Sequence, residues 1–364
     1  MTAPRREARI RLEALAGNVE TLRGIAAPAQ LMVVVKADAY GHGAPAVART
    51  AAEAGADWLG TADLDEALAL RAAGIRSPLL AWLHGASCDF RAAVEAGIEV
   101  GVSTPAQLEA AAEAGATVHL KLDTGLSRNG LDARDTDAVF ARAAQLERDG
   151  RLRVRGVMTH LSGTSPADDA EQRAVFLEAV ERARAAGLEP ELRHLGASLA
   201  TLTQPESRLD LVRVGIAAYG LAPDAAVDPA AWGLRPVMEL VSEVIAVRRI
   251  LAGTGVSYGY THRAAGETTL ALVPLGYADG VPRHASGRAH VAIGGARHPI
   301  VGRIAMDQLI VDVGDAPVRV GDEVVVWGDP ASGAPSAEQW ASAADTIGYE
   351  IVTRVGPRVA RIPA

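Results

Sequence analysis

Short runs of apolar residues alternate with alanine-rich segments from residue 31 to about residue 215. The runs are rich in β-branched residues, and several of the longer segments end at a glycine of the kind that terminates helices. This alternation predicts a parallel sheet with helical crossovers. The predicted strands are Leu31 to Val35, Asp57 to Thr61, Pro78 to Trp82, Ile98 to Val102, Thr117 to Leu122, Arg155 to Thr159, Glu191 to His194 and Leu211 to Val214.

The eight repeated units favour a closed α/β fold, a (β/α)8 TIM-like barrel. An open doubly wound sheet is the less favoured alternative, because no G-x-G-x-x-G motif follows the first predicted strand. Barrels of this kind carry their chemistry at the carboxyl ends of their strands. The polar residues predicted at or just inside those ends are Lys36, Lys121, His160, His194 and Arg213.

The pattern changes after a connector rich in proline and alanine, residues 222 to 229. From about Val237 the apolar runs follow one another without long helical segments, which is typical of a β domain. We therefore predict two domains, a barrel over residues 1–230 and a mainly β C-terminal domain over residues 231–364. The predicted strands of the second domain are Leu240 to Ile250, Thr268 to Val273, Arg288 to Ile293, Gln308 to Val313 and Glu323 to Trp327.

The composition is that of a globular protein with a formal net charge of −8. Apolar residues make up 49% of the 364 residues, which is enough for a substantial core. No basic cluster extends beyond Arg5 and Arg6, so we expect no nucleic-acid partner. The single cysteine, Cys88, excludes an internal disulfide framework and multi-cysteine metal sites. Without an apolar leader or spanning run, the sequence predicts a cytoplasmic protein with no membrane partner.

Lysine is rare in this chain. Of the 36 lysine and arginine residues, only Lys36 and Lys121 are lysines. An arginine keeps its proton, whereas a lysine amine can lose it. A sequence this biased towards arginine should keep lysine where a deprotonated amine is needed, as in Schiff-base chemistry. A surface charge at a strand end is the alternative for Lys36.

The segment Val35-Lys36-Ala37-Asp38-Ala39-Tyr40-Gly41-His42-Gly43 resembles the lysine motif of the alanine racemases, fold-type III enzymes that depend on pyridoxal 5'-phosphate (PLP). Further blocks similar to that family follow in the family's order and span nearly the whole chain. These blocks are Lys121 to Gly130, Thr159-His160, His194, Arg213 to Ile216, Val256 to Gly259, Gly276 to Gly280 and Gly302 to Gln308.

The resemblance implies interconversion of L-alanine and D-alanine, with PLP as the electron sink and D-alanine supplied for peptidoglycan. Racemisation requires a proton to leave one face of the α-carbon and another to arrive on the opposite face. By similarity, Lys36 binds PLP covalently and is the base on one face, while Tyr258 of a partner subunit is the base on the other. His160, linked to Arg213, is the implied relay that helps the tyrosine to lose its proton.

Other residues are implied as ligands on the same resemblance. Arg213 donates to the pyridine nitrogen of PLP, and that nitrogen stays unprotonated because a guanidinium keeps its proton. Arg128 contacts the phenolic oxygen of PLP and the substrate carboxylate. The alternatives from the residues alone are an ion pair for Arg213, a helix N-cap for Ser198 and, for Tyr258, a turn aromatic that covers the β domain, which the residues alone favour. The implied phosphate ligands are the hydroxyls of Tyr40, Ser198 and Tyr349 and the loop residues Gly215 and Ile216.

Lys121 has an implied role of a different kind. In the family this lysine is commonly carbamylated, which makes it an anion that positions the arginine, here Arg128. Only an amine can be carbamylated, which accounts for a lysine at this position. A surface pair between Lys121 and Asp123 is the alternative.

Four residues with implied roles lie in the predicted β domain, far along the chain from Lys36. Met306 offers its backbone N–H to the substrate carboxylate and is expected to place its side chain in the core. Asp307 orients its neighbours, while Tyr277 and Tyr258 line the substrate site. Family members pair head to tail so that one subunit completes the other's barrel, which implies a homodimer with shared active sites acting on a small amino acid.

Other functions stay open at this point. A racemase of serine or of broad specificity shares every motif above. A PLP-binding barrel without turnover predicts no β domain, and a fold-type III decarboxylase would need a glutamate where Arg213 stands and a cysteine in the second domain. The chain departs from the family at Arg9 and Arg11, where acids are common, and at Ala197, where asparagine is common.

Overall fold

The computed structural model describes residues 4–85 and 87–364. Its contacts divide the chain into two compact units. The first, called the barrel unit below, contains Ala16–Ala39 and Ala44–Ala218. The second, called the β unit, contains the N-terminal segment up to Leu15 together with Tyr40–Gly43 and Tyr219–Ala364. None of the helices in the described ranges is long and apolar enough to cross a membrane.

The barrel unit is built on a parallel sheet. In chain order, the strands of this part of the sequence are β1 (Glu7–Ile10), β2 (Gln30–Val34), β3 (Trp58–Thr61), β4 (Leu79–Ala81), β5 (Glu99–Val102), β6 (Thr117–Lys121), β7 (Arg153–Met158), β8 (Leu192–His194) and β9 (Leu211–Val214). Within the described residues, β2 to β9 form one eight-stranded sheet in the order β9-β2-β3-β4-β5-β6-β7-β8. Backbone bonds from Asp210 N to Arg193 O (3.2 Å) and from Arg213 N to Gly196 O (2.9 Å) join its two end strands. The sheet is therefore nearly closed, and the predicted barrel fold is confirmed.

Helices connect these strands, and polar residues set where they begin. Thr104 and Ser165 each accept a hydrogen bond from a backbone N–H in the first turn of the helix that follows, Pro105–Ala114 and Pro166–Ala185 respectively. Gly115, in the left-handed conformation, ends the first of these helices. Further helices are Leu12–Ala26, Ala44–Glu53, Leu64–Ala72, Arg91–Glu95, Thr136–Arg148 and Ser198–Thr203.

The interior of the barrel unit contains polar groups as well as an apolar core. His119, His194 and Arg213 are all buried on its strands. Buried polar groups need hydrogen-bond partners, so these three side chains must find them inside the protein. The apolar cluster takes one residue from each of six strands and comprises Met32, Trp58, Leu80, Met158, Leu192 and Leu211.

The β unit confirms the predicted mainly β architecture. Its later strands are β10 (Met238–Glu243), β11 (Ala246–Ile250), β12 (Gly255–Val256), β13 (His262–Arg263), β14 (Thr268–Val273), β15 (His290–Ile293), β16 (Ala296–Pro299), β17 (Leu309–Gly314), β18 (Glu323–Trp327) and β19 (Ala360–Pro363). The described residues form a six-stranded sheet, β16-β15-β18-β10-β1-β19, and a three-stranded sheet, β11-β14-β17, with β12 and β13 as a separate pair. Two short helices, Ala337–Ala343 and Gly348–Thr353, complete it.

Strand β1 lies in the β unit, whereas a division at residue 230 groups it with the barrel. It pairs antiparallel with β10 and parallel with β19. The arginines that depart from the family pattern do not disturb this pairing, because Glu239 on β10 accepts hydrogen bonds from Arg9 (3.4 Å) and Arg11 (3.0 Å). The unusual charges of β1 are therefore matched locally.

The strand predicted over Leu240 to Ile250 is two strands. β10 pairs with β1 and β18, whereas β11 pairs with β14 in the other sheet. The chain changes partners at Val244 and Ile245, whose N–H groups donate to Asp322 O (2.9 Å) and Leu272 O (2.9 Å). A continuous apolar pattern does not reveal such a change of sheet.

Candidate active site

Lys36 lies two residues after the end of β2 at Val34 and begins a backbone turn of unusual handedness. Ala37, Asp38, Ala39 and Tyr40 have φ angles of 52°, 52°, 54° and 53°. The left-handed region costs an L-residue about 1–2 kcal/mol, so a run of four must be held by its surroundings. Strain of this kind is concentrated at functional sites, and here it sets the direction in which the chain leaves Lys36.

Two carboxylates fasten this turn within the barrel unit. Glu66 Oε1 accepts a hydrogen bond from Ala37 N (2.6 Å), and its Oε2 accepts one from Ala62 N (2.8 Å). Asp38 Oδ1 accepts from Ala44 N (2.7 Å) at the start of the next helix. Glu66 therefore joins the end of β3 to the residue after Lys36.

The amine of Lys36 lies in a cationic environment. Burial lowers its pKa below the ordinary value, and the positive charges of Arg128 and Arg213 lower it further, while Glu66 opposes them. A lowered pKa increases the fraction of the amine that is unprotonated and able to act as a nucleophile or base. The surface-charge alternative is wrong, because Lys36 is partly buried among these groups.

Lys121 ends β6 and is only 7% exposed. Burial, followed by the charges of Arg213 and Arg128, lowers its pKa to about 8. The surface pair with Asp123 is wrong, since Lys121 is buried and Asp123 Oδ1 instead accepts from Gly125 N and Ser127 N (3.0 Å each).

The loop that carries Arg128 folds back tightly against β6. Leu131 N donates to Lys121 O (2.7 Å), and Asp123 N donates to Leu131 O (3.1 Å). Gly130 has a φ of +150°, and a Cβ there would lie 2.5 Å from Asp123 N, so the close return requires glycine. This return holds the Arg128 loop at the carboxyl end of β6.

Arg213 is buried and lies beside two histidines. Its Nη1 donates to His194 O (2.8 Å), and its Nη2 donates to Thr159 O (2.7 Å) and lies 3.2 Å from His160 Nδ1. The ion-pair alternative is wrong, because these partners are carbonyls and imidazoles rather than a carboxylate. Burial lowers the pKa of Arg213 to about 10, which leaves it charged at neutral pH.

His160 is uncharged in this environment. Burial, and then the nearby charge of Arg213, lowers its pKa to about 3. Because an arginine can only donate, Nδ1 of His160 accepts and Nε2 carries the proton. His160 therefore presents an N–H donor on the side away from Arg213.

Ser198 and the loop after β9 form one hydrogen-bonded group. Ser198 Oγ accepts from Gly215 N (3.1 Å) and Ala217 N (3.3 Å), and Ile216 begins the 3-10 turn that follows. The N-cap alternative for Ser198 is wrong, since Ala197 occupies the cap position. A hydroxyl among backbone N–H groups suits an anionic oxygen ligand such as phosphate.

The β unit brings a second set of the predicted residues together. The rings of Tyr40 and Tyr349 lie 6.2 Å apart, and burial raises the pKa of Tyr349 to about 12. Ala278 N donates to Met306 O (3.0 Å), which joins the Tyr277 turn to the Met306 segment.

Three of the predicted site residues in the β unit have exposed side chains. Met306 is 54% exposed, so the expectation of a core side chain is wrong. Tyr277 is 42% and Tyr258 is 70% exposed. Asp307 accepts from Arg358 Nη1 (2.8 Å) and so has a defined position.

Sequence reasoning missed Glu66, Glu99 and His119. Glu66 carries a signal, because Asp63-x-x-Glu66 is the pattern of a capping box and Asp63 does cap the helix Leu64–Ala72. His119 precedes Lys121 by two residues on a strand, which places both on the same face. Glu99 hydrogen-bonds His119, and only the fold reveals that contact.

Fold and site together define a class of protein. The strand ends of a nearly closed barrel bring together a lysine with a lowered pKa, two buried cations and a phosphate-compatible loop, and a β unit follows in sequence. This is the architecture of a two-domain barrel enzyme, with a lysine amine as the candidate reactive group.

Comparison with known proteins gives the family. Residues 10–223 match the model of the alanine racemase N-terminal domain, and residues 237–363 match that of the C-terminal domain. The chain is 47% identical to the alanine racemase of Thermobifida fusca over 98% of its length and 97% of the relative's. The crystal structure of alanine racemase from D-cycloserine-producing Streptomyces lavendulae superposes with a TM-score of 0.96 at 46% identity, covering 100% of this chain and 98% of the other. The chain belongs to the alanine racemase family.

Two open alternatives do not fit these findings. The β unit contradicts a barrel-only PLP-binding protein. Arg213 stands where a decarboxylase of this fold would need a glutamate, and Cys88, the single cysteine, lies outside the β unit.

Proposed function

We propose that this protein is a PLP-dependent alanine racemase that interconverts L-alanine and D-alanine and supplies D-alanine for peptidoglycan. The full-length similarity to alanine racemases carries the proposal. The geometry around Lys36, His160 and Arg213 supports it, because Lys36 has a lowered pKa, His160 is neutral and Arg213 stays charged.

The residues of the barrel unit fit PLP. The positive charges of Arg128 and Arg213 suit a ligand with a phosphate and a phenolic oxygen. The Ser198 hydroxyl and the loop that contains Gly215 and Ile216 would hold the phosphate. When bound, PLP supplies the electron sink that makes the α-proton of the amino acid acidic.

Lys36 holds and moves a proton at Nζ on one face of the substrate. Its lowered pKa favours the unprotonated amine, which is the form that can accept that proton. The left-handed turn and Glu66 fix the backbone on the carboxyl side of Lys36, so the amine has a defined starting position.

Arg213 acts as a fixed donor. It stays charged and cannot accept a proton, so a pyridine nitrogen in contact with it stays unprotonated. Through Nη2 it also fixes His160 as a neutral N–H donor, which suits a hydrogen bond to the oxygen of a deprotonated tyrosine.

Tyr258 of the partner subunit is proposed as the base on the opposite face. Its 70% exposure is what a side chain needs if it reaches into another protomer. Tyr277 and Met306 of the same unit are exposed as well and would line the substrate site in a head-to-tail homodimer, with Asp307 orienting that segment through Arg358.

Lys121 is proposed to be carbamylated. A pKa of about 8 gives it a neutral fraction near neutrality, and only the neutral amine combines with carbon dioxide. The resulting anion would offset the charges of Arg213 and Arg128 and would orient the latter toward the substrate carboxylate.

The direct test is conversion of L-alanine to D-alanine, detected with a D-amino-acid oxidase, together with exchange of the α-proton in heavy water. Lys36→Ala and Tyr258→Phe should abolish or strongly reduce both signals, while Tyr260→Phe, at an exposed neighbouring ring, should not. PLP-loaded wild-type protein that exchanges no α-proton would refute the proposal. A panel including serine decides whether alanine is the preferred substrate.

A further inference from the structure

A continuous chain of hydrogen bonds crosses the interior of the barrel unit and ends on Arg213. His194 Nδ1 lies 3.3 Å from Arg213 Nη1, and His194 Nε2 lies 2.8 Å from His119 Nδ1. His119 Nε2 lies 2.9 Å from Glu99 Oε2, and Glu99 Oε1 accepts from Arg155 Nη1 at 2.5 Å. Glu99 begins β5 and Arg213 lies near the carboxyl end of β9. The chain of hydrogen bonds therefore runs from the amino ends of the barrel strands to their carboxyl ends.

Every bond in this chain has a fixed direction. Arg213 has only N–H groups, so His194 Nδ1 must accept. A neutral imidazole then carries its proton on Nε2, so His194 donates to His119 Nδ1. His119 consequently carries its own proton on Nε2 and donates it to a carboxylate oxygen. A guanidinium at one end and a carboxylate at the other thus fix the tautomers of two buried histidines.

The pKa shifts at two members of this hydrogen-bond chain agree with a carboxylate at Glu99 and a neutral ring at His194. Burial opposes ionisation of Glu99, yet the hydrogen bond from His119 and the charge of Arg155 hold its pKa below the ordinary value. Burial lowers the pKa of His194 well below its ordinary value, which keeps that ring neutral. A neutral ring between an acceptor and a donor is what a one-directional chain requires.

The fold reserves space for the histidine pair at Gly156. This glycine lies on β7, between the strands of His119 and His194, and a Cβ there would lie 2.4 Å from His119 Nδ1. Both histidines are fully buried, and their rings stand at 86° to each other. The intervening strand therefore lacks a side chain at the point where the two rings meet.

We propose that Glu99, His119 and His194 hold Arg213 in the orientation that the reaction needs, which makes Glu99 and His119 positioning residues. The proposal rests on the proposed function, because only there does the orientation of Arg213 matter for chemistry. The guanidinium of Arg213 contacts both His194 and His160. A rotation of this guanidinium that changes its contact with one histidine therefore changes its contact with the other. Glu99 therefore influences the carboxyl end of the barrel from the opposite end.

The first test reads the tautomers of the intact wild-type protein labelled with 15N-histidine. Long-range 1H–15N correlation distinguishes a proton on Nε2, a proton on Nδ1 and a charged ring. At neutral pH, His119 and His194, assigned with His119→Gln and His194→Gln, should both carry the proton on Nε2 only. A proton on Nδ1 of His194, or a charged His119, overturns the proposal. This result does not depend on racemase activity, so it separates failure of the proposal from failure of the proposed function.

The second test removes the charge that anchors the chain. In PLP-loaded Glu99→Gln we expect kcat to fall about tenfold with KM changed less than about twofold, as for loss of one charge-assisted hydrogen bond. The absorbance band of the bound cofactor should also shift, which a merely structural role would not cause. Glu191→Gln is the matched control. Glu191 lies 3.6 Å from Arg155 at the same end of the barrel, but its ion pairs are with Arg153 and Arg155 and not with a histidine.

Gly156→Ala provides an independent route to the same effect. A methyl group against His119 should move the pair and reproduce the spectral shift of Glu99→Gln. Equal kcat and identical spectra for Glu99→Gln and Glu191→Gln would overturn the proposal. If Glu99→Gln does not fold, the tautomers of the wild-type protein and the spectrum of Gly156→Ala still decide.

Discussion

The barrel unit and the β unit hold their candidate site residues in opposite ways. Lys121 and Arg213 are buried in the barrel unit, where hydrogen bonds and neighbouring charges define their state. Tyr258 and Met306 are more than half exposed in the β unit, as single large side chains on its surface. In the proposed head-to-tail homodimer, these side chains would reach the partner subunit. The fold of this chain therefore sets the state of the barrel residues, whereas it leaves the β-unit residues exposed, and only the proposed homodimer would cover them.

We expect the largest loss of activity from variants of Lys36, the residue on which the barrel-unit part of the site depends. Lys36→Ala and Lys36→Arg should each lower kcat/KM by at least about a thousandfold, because neither provides a deprotonatable amine. The near-visible band of the cofactor adduct should disappear in both. Activity of the arginine variant above one per cent of wild type, roughly, would contradict the role of the amine.

Mixing two inactive variants tests whether the β part is supplied by a partner. Lys36→Ala and Tyr258→Phe dimers, exchanged by mild denaturation and refolding, should recover about a quarter of wild-type activity. Half of the dimers are mixed, and each has one intact site if sites are shared. Lys36→Ala exchanged with itself is the control. Absence of recovery in verified mixed dimers would place both residues of a site on one chain.

Variants of Lys121 test whether an anion is needed at this position in the barrel unit. Lys121→Gln should lower kcat about 10- to 100-fold, the range for losing one charge-assisted contact, whereas Lys121→Glu should retain more activity because it keeps an anion there. Wild-type protein depleted of carbon dioxide should regain activity on addition of bicarbonate, and Lys121→Gln should not. Equal activities of the two variants would argue against the carbamate.

The uncarbamylated protein should show the cost of burying Lys121 as a pH effect. Its pKa of about 8 when folded lies below the ordinary 10.5, so the unfolded chain binds more protons between these values. The loss of folding stability caused by burying protonated Lys121 is complete below about pH 8 and disappears as the pH rises past 10.5. The free energy of unfolding should therefore rise by about 3 kcal/mol relative to Lys121→Met across this window. Chemical denaturation in buffer free of carbon dioxide measures it, and parallel curves would contradict the shift.

Glu66 gives the smallest expected effect. Glu66→Gln keeps one acceptor but removes the charge that faces the Ala37 and Ala62 amides, so we expect a loss of about 1 kcal/mol in the free energy of unfolding. The pKa of Lys36 should fall further, since Glu66 opposes its lowering, and a pH profile of kcat/KM should shift to lower pH. Asp65→Asn is the control, because it removes a carboxylate from the same turn of the same helix. An unchanged profile would contradict the role of Glu66.

Much of the fold follows from the sequence, because the strands of the barrel are short apolar runs with clear ends. The predicted strand Leu211 to Val214 has the observed bounds. The position of β1 does not follow, since its partners lie more than two hundred residues away. The left-handed turn after Lys36 does not follow either, because alanine and aspartate favour right-handed backbone.

The site divides in the same way. The scarcity of lysine and the motif around Lys36 are enough to indicate the amine from the sequence alone. The side chain of Met306 was misjudged, because residue type alone does not separate a core methionine from an exposed one. Arg213 was ambiguous between an ion pair and a donor, and only its observed carbonyl and imidazole partners resolve this.

Strand β1 has a consequence for how this chain is made. It lies between β10 and β19, and β19 is separated from it by almost the whole sequence. During synthesis the barrel can therefore close on the ribosome while β1 still lacks both neighbours in its sheet. A nascent chain arrested after the barrel would present an unpaired strand edge, and that interval is when a chaperone would be needed most.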